Sequence, residues 1–565
     1  MTRPLPLIEV ADLTVDFFVG TETVRAVERL TFGLAHGEAL GIVGESGSGK
    51  STVASALLGL HRGTGARVTG RVQVDGTDVQ SASARELRRL RGGTAAMVFQ
   101  DPLSSLDPFL AVGDQIAEVH RVHTPGATRR SARQRAVAVL DRVGIPEAAR
   151  RSRSRPHEFS GGMRQRALIA MALACEPRVL VADEPTTALD VTVQAQILDL
   201  LHELRTESGL GLVLVSHDLG VIAGSVDRML VMKDGREVEQ GPVRRTLNSP
   251  SQPYTRRLLD AVPRIDAAVP GIEAPLAAPS SPPDGEALLE AVAVHKEFGR
   301  RTSRTKAVDG ISLSVREGET LGVVGESGSG KTTLGRVLVQ LLRPSSGQVR
   351  YRGRELNGIS RDLQMVFQDP LSSLNPRRSI GESVADPLRA ARTSTDREIT
   401  ARVRELLERV GLDPGWYHRY PHELSGGQRQ RVGIARALAP SPKVVVCDEP
   451  VSALDVTTQA EVLDLLAGLQ RDLGLSMVLI AHDLAVVRQA SNRVAVMRDG
   501  LVVEEGPAEA LYASPQNPYT KALLAAVPVL DPDEAAIQRS ARGAARAEPP
   551  GAPTAVGTRP AAGRR

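Results

Sequence analysis

Two glycine-rich segments of the chain end in a lysine and a hydroxyl residue, GESGSGKS at 44–51 and GESGSGKT at 325–332. Both fit the pattern G-x-x-x-x-G-K-[ST], in which glycines let successive backbone N–H groups converge on phosphate oxygens. We expect each lysine to reach the β- and γ-phosphates of a nucleotide, and Ser51 and Thr332 to ligate Mg²⁺. The predicted nucleotide-binding residues are Gly44, Glu45, Ser46, Gly47, Ser48, Gly49, Lys50, Ser51 and Thr52, and Gly325, Glu326, Ser327, Gly328, Ser329, Gly330, Lys331, Thr332 and Thr333.

An Asp-Glu pair follows a short apolar run in each half of the chain, as RVLVADE and KVVVCDE. An isolated pair of this kind is more often a solvated strand end. Next to a phosphate loop, however, we expect Asp183 and Asp448 to hold Mg²⁺, directly or through water. Glu184 and Glu449 are then placed to orient and polarise the attacking water as general bases.

A histidine also follows an apolar run in each half, in VLVSHDL and VLIAHDL. A lone histidine is usually a structural residue. Here His217 and His482 both precede Asp-Leu at the same distance from the acidic pair. This repeated position favours a catalytic contact with the γ-phosphate.

These matches belong to a repeat that spans most of the sequence. MVFQDPLSSLDP matches MVFQDPLSSLNP, and HEFSGGMRQR matches HELSGGQRQR. The offset between copies is 281 residues at the loops and 265 from the SGG motif onward, so the first half has 16 extra residues between the two motifs. We predict a first domain at 1–263, a Pro/Ala-rich linker at 264–287, a second domain at 288–530 and a disordered tail at 531–565.

The elements that position these residues have an α/β rhythm. An apolar strand precedes each glycine loop and a helix follows it. The runs before the Asp-Glu pairs and the histidines are typical of central parallel strands buried on both faces. VMKDGREVEQG and VMRDGLVVEEG place Asp-Gly between alternating runs, which predicts a hairpin in each half. The sequence therefore predicts two layered α/β domains with antiparallel additions.

The composition excludes several classes of protein. A net charge of +4 over 565 residues argues against a dedicated nucleic-acid binder, and we expect no nucleic-acid partner. The Arg-rich stretch 128–142 is interpreted as a solvated helix face. Two cysteines, no signal-peptide pattern and no long apolar run predict a cytoplasmic protein.

The ordered set of phosphate loop, VFQDP, SGG, strand-DE and strand-His resembles the nucleotide-binding domains of ABC transporters. The resemblance implies that each domain has a P-loop ATPase core with a mostly parallel sheet, an antiparallel β subdomain and a helical subdomain. It implies that Gln100 and Gln368 touch Mg²⁺ or water and sense a membrane subunit. Phe17 and Phe298 fall where the family stacks an aromatic ring on adenine, although Phe18 competes with Phe17. The implied signature residues, which bind the γ-phosphate of the opposite domain, are Ser160, Gly161, Gly162, Ser425, Gly426, Gly427 and Gln428.

In this family the phosphate loop of one domain faces the signature of another, so the resemblance implies that the two halves pair within one chain. Met163 stands where the family usually has Gln. The serine and both glycines before it remain, and both halves keep the glutamate and the histidine. We therefore expect two ATP sites that bind and hydrolyse, at rates that can differ.

FQDPLSSLDP, FQDPLSSLNP and the PYT-x-x-LL-x-AVP endings resemble the ATPases of peptide and nickel importers. The expected partners are two separate transmembrane permeases and, through them, an extracytoplasmic solute-binding protein. The expected location is the cytoplasmic face of the membrane. The segments after the two PYT motifs contain no cysteine, so no iron–sulfur cluster is expected. Dipeptides, oligopeptides, glutathione and nickel all stay open as cargo.

Two other functions fit parts of the pattern. A soluble tandem ATPase acting on ribosomes would also have two such domains, but usually with a long charged helical linker. Ribosome co-sedimentation would identify it. An ATPase that drives an exporter or a drug-resistance system is closer, and the presence or absence of a neighbouring solute-binding protein gene would separate it from an importer.

Overall fold

The computed structural model describes residues 6–187, 189–265, 287–299, 304–369, 373–392, 395–452 and 454–547. Most of the predicted linker, 266–286, and the end of the predicted tail, 548–565, lie outside the described residues. The described part contains two units of the same architecture, one in each half of the chain.

Each unit has a six-stranded and a four-stranded sheet. In the first half their strand orders are β10-β9-β3-β8-β7-β6 and β2-β1-β4-β5. The strands of this half are β1 (Ile8–Val19), β2 (Glu22–Leu34), β3 (Ala39–Val43), β4 (Arg67–Val74), β5 (Thr77–Asp78), β6 (Ala95–Val98), β7 (Val179–Asp183), β8 (Gly211–Val215), β9 (Arg228–Lys233) and β10 (Arg236–Pro242).

The second half repeats this arrangement, with orders β16-β17-β18-β13-β19-β20 and β12-β11-β14-β15. Its strands are β11 (Leu289–Phe298), β12 (Thr305–Val315), β13 (Thr320–Val324), β14 (Ser346–Tyr351), β15 (Arg354–Glu355), β16 (Leu363–Val366), β17 (Val444–Asp448), β18 (Ser476–Ile480), β19 (Arg493–Arg498) and β20 (Leu501–Pro507).

The central strands are apolar throughout because both faces of the sheet are covered. Every residue of β3, β7 and β8 is buried, because helices cover both faces of a parallel sheet. β3 pairs in parallel with β8 and β9, and β7 pairs in parallel with β8. The carboxyl ends of these strands therefore meet at one edge of the sheet. That edge carries the residues for which the sequence predicts chemistry.

The predicted hairpins are confirmed. β9 and β10 pair antiparallel, as do β19 and β20. Their Asp-Gly turns have positive φ at both residues, 48° and 77° at Asp234-Gly235 and 50° and 82° at Asp499-Gly500. Such turns match the twist of the paired strands.

Helices pack on the six-stranded sheet and build a separate helical layer in each half. The Arg-rich stretch is a helix whose buried face is apolar, as predicted, with Thr128 as its N-cap. Thirteen of the 16 extra residues of the first half lie between Lys50 and Gln100, in a segment that contains a short helix and a π-helical turn over Leu90–Thr94. The helices of the first half are α1 (Lys50–Leu57), α2 (Ala84–Arg89), α3 (Pro102–Ser105), α4 (Val112–His123), α5 (Arg129–Arg142), α6 (Ala148–Arg151), α7 (Gly161–Leu173), α8 (Val191–Ser208), α9 (Leu219–Ser225), α10 (Val243–Asn248) and α11 (Pro253–Asp260).

The second half has matching helices around its sheet. None of the described helices of either half is long and apolar enough to cross a membrane. The second-half helices are α12 (Lys331–Leu338), α13 (Ile380–Ala391), α14 (Asp396–Arg409), α15 (Gly426–Leu438), α16 (Val456–Leu473), α17 (Leu484–Ala490), α18 (Ala508–Ala513), α19 (Pro518–Ala526) and α20 (Pro532–Ala547).

The two halves are in contact. Val191 and Ala195, at the start of α8 in the first half, pack into the hydrophobic core of the second half. α19 and α20 lie against α8 and α9 in return. The structure therefore joins the two units through their helices as well as through the chain.

The prediction of a disordered tail is wrong for Pro532–Ala547, which form α20. Its Ala- and Arg-rich composition has high helix propensity, which the compositional argument overlooked. Asp531 accepts hydrogen bonds from the N–H groups of Asp533 and Glu534 and so caps the helix. The helix also docks on the first half, where Arg542 pairs with Asp199.

Candidate active site

The first phosphate loop connects β3 to α1. Gly44 has φ 155°, and a Cβ there would lie 2.2 Å from the carbonyl oxygen of Met232. Gly49 has φ 95°, and a Cβ would lie 2.3 Å from the carbonyl oxygen of Ala26. Only glycine fits these two positions, and the same close approaches recur in the second half at Gly325 and Gly330.

The two loop lysines are buried against their own loops. Lys50 Nζ donates to the carbonyl oxygens of Gly44 and Glu45, both at 2.8 Å. Lys331 Nζ makes the same bonds at 2.7 and 2.9 Å. Burial lowers the pKa of both ammonium groups, although neighbouring carboxylates oppose this. An ammonium with little water around it, at the start of a helix, suits phosphate oxygens.

The serines of the two loops also suit a bound phosphate. Ser46 and Gly47 are exposed at the tip of the first loop, and Ser48 is buried beside Lys50. In the second loop the Ser329 hydroxyl is buried and has no hydrogen-bond partner among the described residues. A buried polar atom of this kind usually has a partner, and a bound phosphate would supply one.

The predicted metal ligands lie side by side in both halves. Ser51 Oγ donates to Asp183 Oδ1 at 3.0 Å, and Thr332 Oγ1 donates to Asp448 Oδ1 at 2.9 Å. Burial raises the pKa of both carboxyl groups, and the hydroxyl hydrogen bond opposes it. The described residues contain no group of three or more His, Cys, Asp or Glu placed to hold a metal alone. One hydroxyl and one carboxylate fit Mg²⁺, which usually takes its other oxygens from phosphates and water.

Each predicted catalytic glutamate is held by the glutamine and the histidine named from the sequence. Gln100 Nε2 donates to Glu184 Oε2 at 2.7 Å, and His217 Nδ1 lies 3.2 Å from Glu184 Oε1. In the second half, Gln368 Nε2 donates to Glu449 Oε2 at 2.6 Å, and His482 Nδ1 lies 3.5 Å from the same oxygen. The structure therefore brings together residues that are 117 positions apart in the first half, from Gln100 to His217.

Both glutamates have a left-handed backbone, with φ 46° at Glu184 and 47° at Glu449. Their N–H groups donate to the last residues of the neighbouring strands, Val215 at 3.0 Å and Ile480 at 2.8 Å. A non-glycine residue in this conformation costs about 1 kcal/mol and marks functional positions when the surroundings enforce it.

The charges of this group are coupled. Burial acts to raise the pKa of Glu184, but the hydrogen bond and charge of His217 outweigh it, so the pKa lies below its ordinary value. Burial acts to lower the pKa of His217, and Glu184 outweighs it in turn, so that pKa is raised. Glu449 and His482 shift in the same directions. The arrangement favours an ionised glutamate beside an imidazole that gains a proton readily.

The signature residues lie at the exposed N-termini of α7 and α15. Ser160 Oγ accepts from the N–H of Met163 at 3.3 Å, and Ser425 Oγ accepts from the N–H of Gln428 at 3.3 Å. Gln428 Oε1 also accepts from the N–H of Ser425 at 2.9 Å, which completes a capping box. A methionine side chain cannot accept that bond, so the sequence difference at position 163 leaves the first signature helix with a simpler cap.

The predicted adenine-stacking residues are placed less uniformly. Phe17 is half-buried on β1, with its ring edge-on to His61 at a centroid distance of 5.4 Å. Phe298 ends β11 with an exposed ring, 5.5 Å from Lys296 Nζ. Phe18 is exposed. The stacking role of Phe17 and Phe298 stays a prediction.

The sequence implied that the two halves pair, but it did not identify the hydrogen bonds that join them. Asp190 accepts a hydrogen bond from the N–H of Ser327, and Thr192 Oγ1 donates to Glu326 Oε1 at 2.5 Å. In the reciprocal contact, Thr457 Oγ1 donates to Glu45 Oε1 at 3.1 Å. Each phosphate loop thus contacts the segment that follows the predicted catalytic glutamate of the opposite half. The repeated DVT sequence at 190–192 and 455–457 was the available signal.

Thr187 and Tyr519 also contact the site, and the sequence did not predict this. Thr187 Oγ1 donates to Glu184 Oε2 at 2.9 Å, whereas the equivalent hydroxyl of Ser452 donates to the backbone carbonyl of Glu449 at 3.2 Å. The Tyr519 hydroxyl accepts from the N–H of Glu326 at 3.2 Å. The PYT motif repeated in both halves marks this tyrosine, but its pattern alone carries no role.

Comparison with known proteins agrees with this architecture. The sequence profile described as "ABC transporter" matches residues 27–187 and 308–452. The profile of the C-terminal region of oligopeptide/dipeptide transporters matches residues 238–285 and 503–552.

Among curated relatives, the glutathione import ATP-binding protein GsiA of Escherichia coli strain K12 is 45% identical over 574 residues, covering 94% of this chain and 91% of the relative. The protein of the same name from Shigella flexneri is 45% identical over 570 residues, with the same coverage. A solved ATP-binding cassette, a dimer in a post-hydrolysis state bound to ADP and Pi, is 31% identical and covers 39% of this chain and 98% of its own, with a TM-score of 0.36. A dimeric bacterial ABC transporter cassette is 31% identical over 42% of this chain and 99% of its own, with a TM-score of 0.39. The chain therefore belongs to the ABC transporter family, as an ATPase with two ATP-binding cassettes in one polypeptide.

Proposed function

We propose that this chain drives an importer by clamping one ATP between the phosphate loop of each half and the signature helix of the other. Lys50, Asp183 and Glu184 work with Ser425 to Gln428, and the equivalent residues of the second half work with Ser160 to Met163. The observation that carries this proposal is the pair of reciprocal contacts between halves, Thr192 with Glu326 and Thr457 with Glu45. They turn each loop toward the opposite half.

Glu184 and Glu449 are the general bases of this scheme. The neighbouring histidine lowers the pKa of each carboxyl group, so the carboxylate is ionised and can accept a proton from the attacking water. Gln100 and Gln368 each hold one carboxylate oxygen through the hydrogen bonds described above, which fixes the orientation of the carboxylate toward the water. His217 and His482 then have a second ring nitrogen free of the glutamate for a γ-phosphate oxygen.

The phosphate charge is met by three further groups in each half. Lys50 and Lys331 exchange their loop carbonyl partners for phosphate oxygens. Ser51 with Asp183, and Thr332 with Asp448, would hold Mg²⁺, which neutralises charge on the β- and γ-phosphates when it is bound with ATP. Ser160 and Ser425 present hydroxyls and helix N-termini to the same phosphate from the opposite half.

Two permeases receive the motion of the halves. ATP favours the closed pair of domains and product release lets it reopen, since each state binds the nucleotide differently. An apolar groove beside Gln368 is lined by Leu341, Ile359, Met365 and Phe367. Ile359 is 72% exposed, and in the first half Phe109 is 82% exposed. We assign these surfaces to apolar cytoplasmic segments of the two permeases, because exposed apolar patches of this kind mark interaction sites.

The cargo is a small peptide of the glutathione or oligopeptide type, delivered by an extracytoplasmic solute-binding protein. Support comes from the GsiA relatives and from the matched C-terminal regions. The chain works at the cytoplasmic face of the membrane through its permeases.

ATPase measurements on Glu184→Gln, Glu449→Gln and the double variant test the two sites. Equal engagement predicts that each single variant loses at least half of the activity and that the double variant loses almost all of it. Full activity in either single variant would contradict two competent sites.

Cross-linking tests the clamp itself. The two native cysteines are first replaced, and Glu184→Gln and Glu449→Gln trap ATP. In this background, a cross-link should form between Ser46→Cys and Gly426→Cys. A second should form between Ser327→Cys and Gly161→Cys. Cross-links that never form with trapped ATP would refute the head-to-tail pairing.

The permease surfaces are tested by affinity purification from membranes. Phe109→Ser and Ile359→Ser should reduce recovery of permeases while basal ATPase stays unchanged. Leu501→Ser is the matched control, because Leu501 is also an exposed apolar residue and lies on β20, outside both surfaces. Equal recovery in all three variants would remove the assignment.

A further inference from the structure

The C-terminal region of the second half touches its own phosphate loop through a tyrosine. Tyr519 is the second residue of α19, and its hydroxyl accepts from the N–H of Glu326 at 3.2 Å. The Arg498 guanidinium lies 4.8 Å from the centre of the ring. The ring is buried, so the hydroxyl is held at the loop by packing as well as by its hydrogen bond.

Glu326 has further partners from other directions. Its carbonyl oxygen accepts from Lys331 Nζ at 2.9 Å, and its carboxylate accepts from Thr192 of the opposite half. The next N–H, of Ser327, donates to Asp190, also of the opposite half. The first two residues of the loop after Gly325 are therefore held on one side by Tyr519 and on the other by the facing half.

The first half has the same elements without the same hydrogen bond. Tyr254 is the second residue of α11 and lies beside Glu45, and Lys233 Nζ lies 4.9 Å from its ring centre. Its buried hydroxyl has no hydrogen-bond partner among the described residues. Burial raises the pKa of Tyr254 and Tyr519 to about 12, and the nearby glutamates add to it. At neutral pH both tyrosines are therefore uncharged hydroxyls.

We propose that Tyr519 is a positioning residue that keeps the phosphate loop of the second half in its phosphate-binding shape while the facing half moves. The proposal rests on the proposed clamp for its functional consequence. In that clamp, Asp190 and Thr192 travel with the opposite half and pull on Glu326 and Ser327. The tyrosine hydroxyl holds the same peptide from its own half, so the loop does not follow the pull. The C-terminal region thereby acts on nucleotide binding.

The direct test is amide hydrogen exchange of the 321–332 segment in the nucleotide-free chain. Tyr519→Phe removes one hydrogen bond to a neutral N–H and keeps the ring, so exchange at Glu326 should accelerate about fivefold. Tyr417→Phe is the matched control, because the Tyr417 hydroxyl is hydrogen-bonded to Glu382 in the helical layer and not to the loop. Unchanged exchange in Tyr519→Phe, or equal acceleration in Tyr417→Phe, would overturn the proposal.

Nucleotide affinity supplies the second measurement. In a Glu184→Gln, Glu449→Gln background, Tyr519→Phe should weaken binding of a fluorescent ATP analogue at one site about fivefold. In the otherwise unmodified chain it should raise KM for ATP and leave kcat nearly unchanged. Faster loop exchange without any loss of affinity would also overturn the positioning role.

A double-mutant cycle separates the tyrosine from the clamp. Because Tyr519 and Thr192 hold the same residue, the effects of Tyr519→Phe and Thr192→Val on analogue binding should be non-additive. Additive effects would show that they act independently and would refute the shared hold. If the cross-links between halves fail but loop exchange still accelerates, the proposed clamp is wrong and the tyrosine contact stands.

Discussion

Replacing Arg542 by alanine should release the C-terminal helix α20 from the first half. Arg542 donates to both carboxylate oxygens of Asp199, at 2.8 and 3.2 Å, and to the carbonyl oxygen of Ala525 at 3.3 Å. The two side chains of the ion pair are 23% and 5% exposed. The pair joins residues 343 positions apart, so it is a tie between the two halves.

The expected loss follows from this burial. Removing one partner of a fully buried ion pair costs about 3–5 kcal/mol when the other charge is left without a counter-charge. The loss is smaller here, because the charge of Arg539 also acts on Asp199. Arg542 is partly exposed, so water can replace some of its hydrogen bonds, and we expect about 2 kcal/mol. Such a loss raises the population of the undocked helix about thirtyfold. The loss of stability in Arg542→Lys should lie between those of the wild type and Arg542→Ala, because an ammonium cannot bond both carboxylate oxygens in the same planar geometry.

Amide hydrogen exchange of 532–547 measures this opening locally, and it should accelerate about thirtyfold in Arg542→Ala. Asp199→Asn should accelerate it as well, and the double variant should add little because both changes break the same pair. The control is Asp464→Asn, at the equivalent but exposed position of the second half, which should leave exchange unchanged. Exchange at the wild-type rate in Arg542→Ala would refute the tie.

Three other outcomes can be checked. Met163→Gln should complete the capping box on Ser160, as Gln428 does on Ser425. It should raise the free energy of unfolding of the first half by about 0.5–1 kcal/mol, measured by thermal unfolding. Hydrogen bonds led by that from Arg389 lower the pKa of Glu382 to about 2, so its stabilising contribution is present above pH 4.5 and is lost as the pH falls toward 2. Because the side chain is 35% exposed, we expect about 1 kcal/mol, measured as a difference in urea unfolding between pH 5 and pH 3 that Glu382→Gln removes. Chelation of Mg²⁺ with EDTA should abolish ATP hydrolysis and added Mg²⁺ should restore it.

The sequence was most informative where function depends on local backbone geometry. A glycine loop between a strand and a helix, an Asp-Glu pair at a strand end and an Asp-Gly hairpin each fit within about ten residues. Their types and spacing specify the turn that they must form. The edge where Lys50, Asp183 and His217 meet then follows from the parallel order of three buried strands.

Long-range contacts could not be inferred in the same way. The bonds from Thr192 to Glu326 and from Thr457 to Glu45 span 134 and 412 residues, and no local periodicity encodes them. The C-terminal helix was missed for a different reason. The Pro, Gly and Arg content of the tail suggests disorder. The Ala and Arg residues of 532–547 nevertheless have high helix propensity, and Asp531 caps the helix that they form.

The contacts between halves explain why a duplicated loop is not a redundant one. Glu326 and Ser327 belong to the loop of the second half, yet Asp190 and Thr192 of the first half complete their hydrogen bonds. Asp190 and Thr192 follow Glu184, the predicted general base of the first half, by only six and eight residues, so a shift of this segment would act directly on the loop of the second half. Thr457 makes the reciprocal contact to Glu45. Each loop therefore forms hydrogen bonds with the opposite half, at positions only a few residues from the predicted catalytic glutamates.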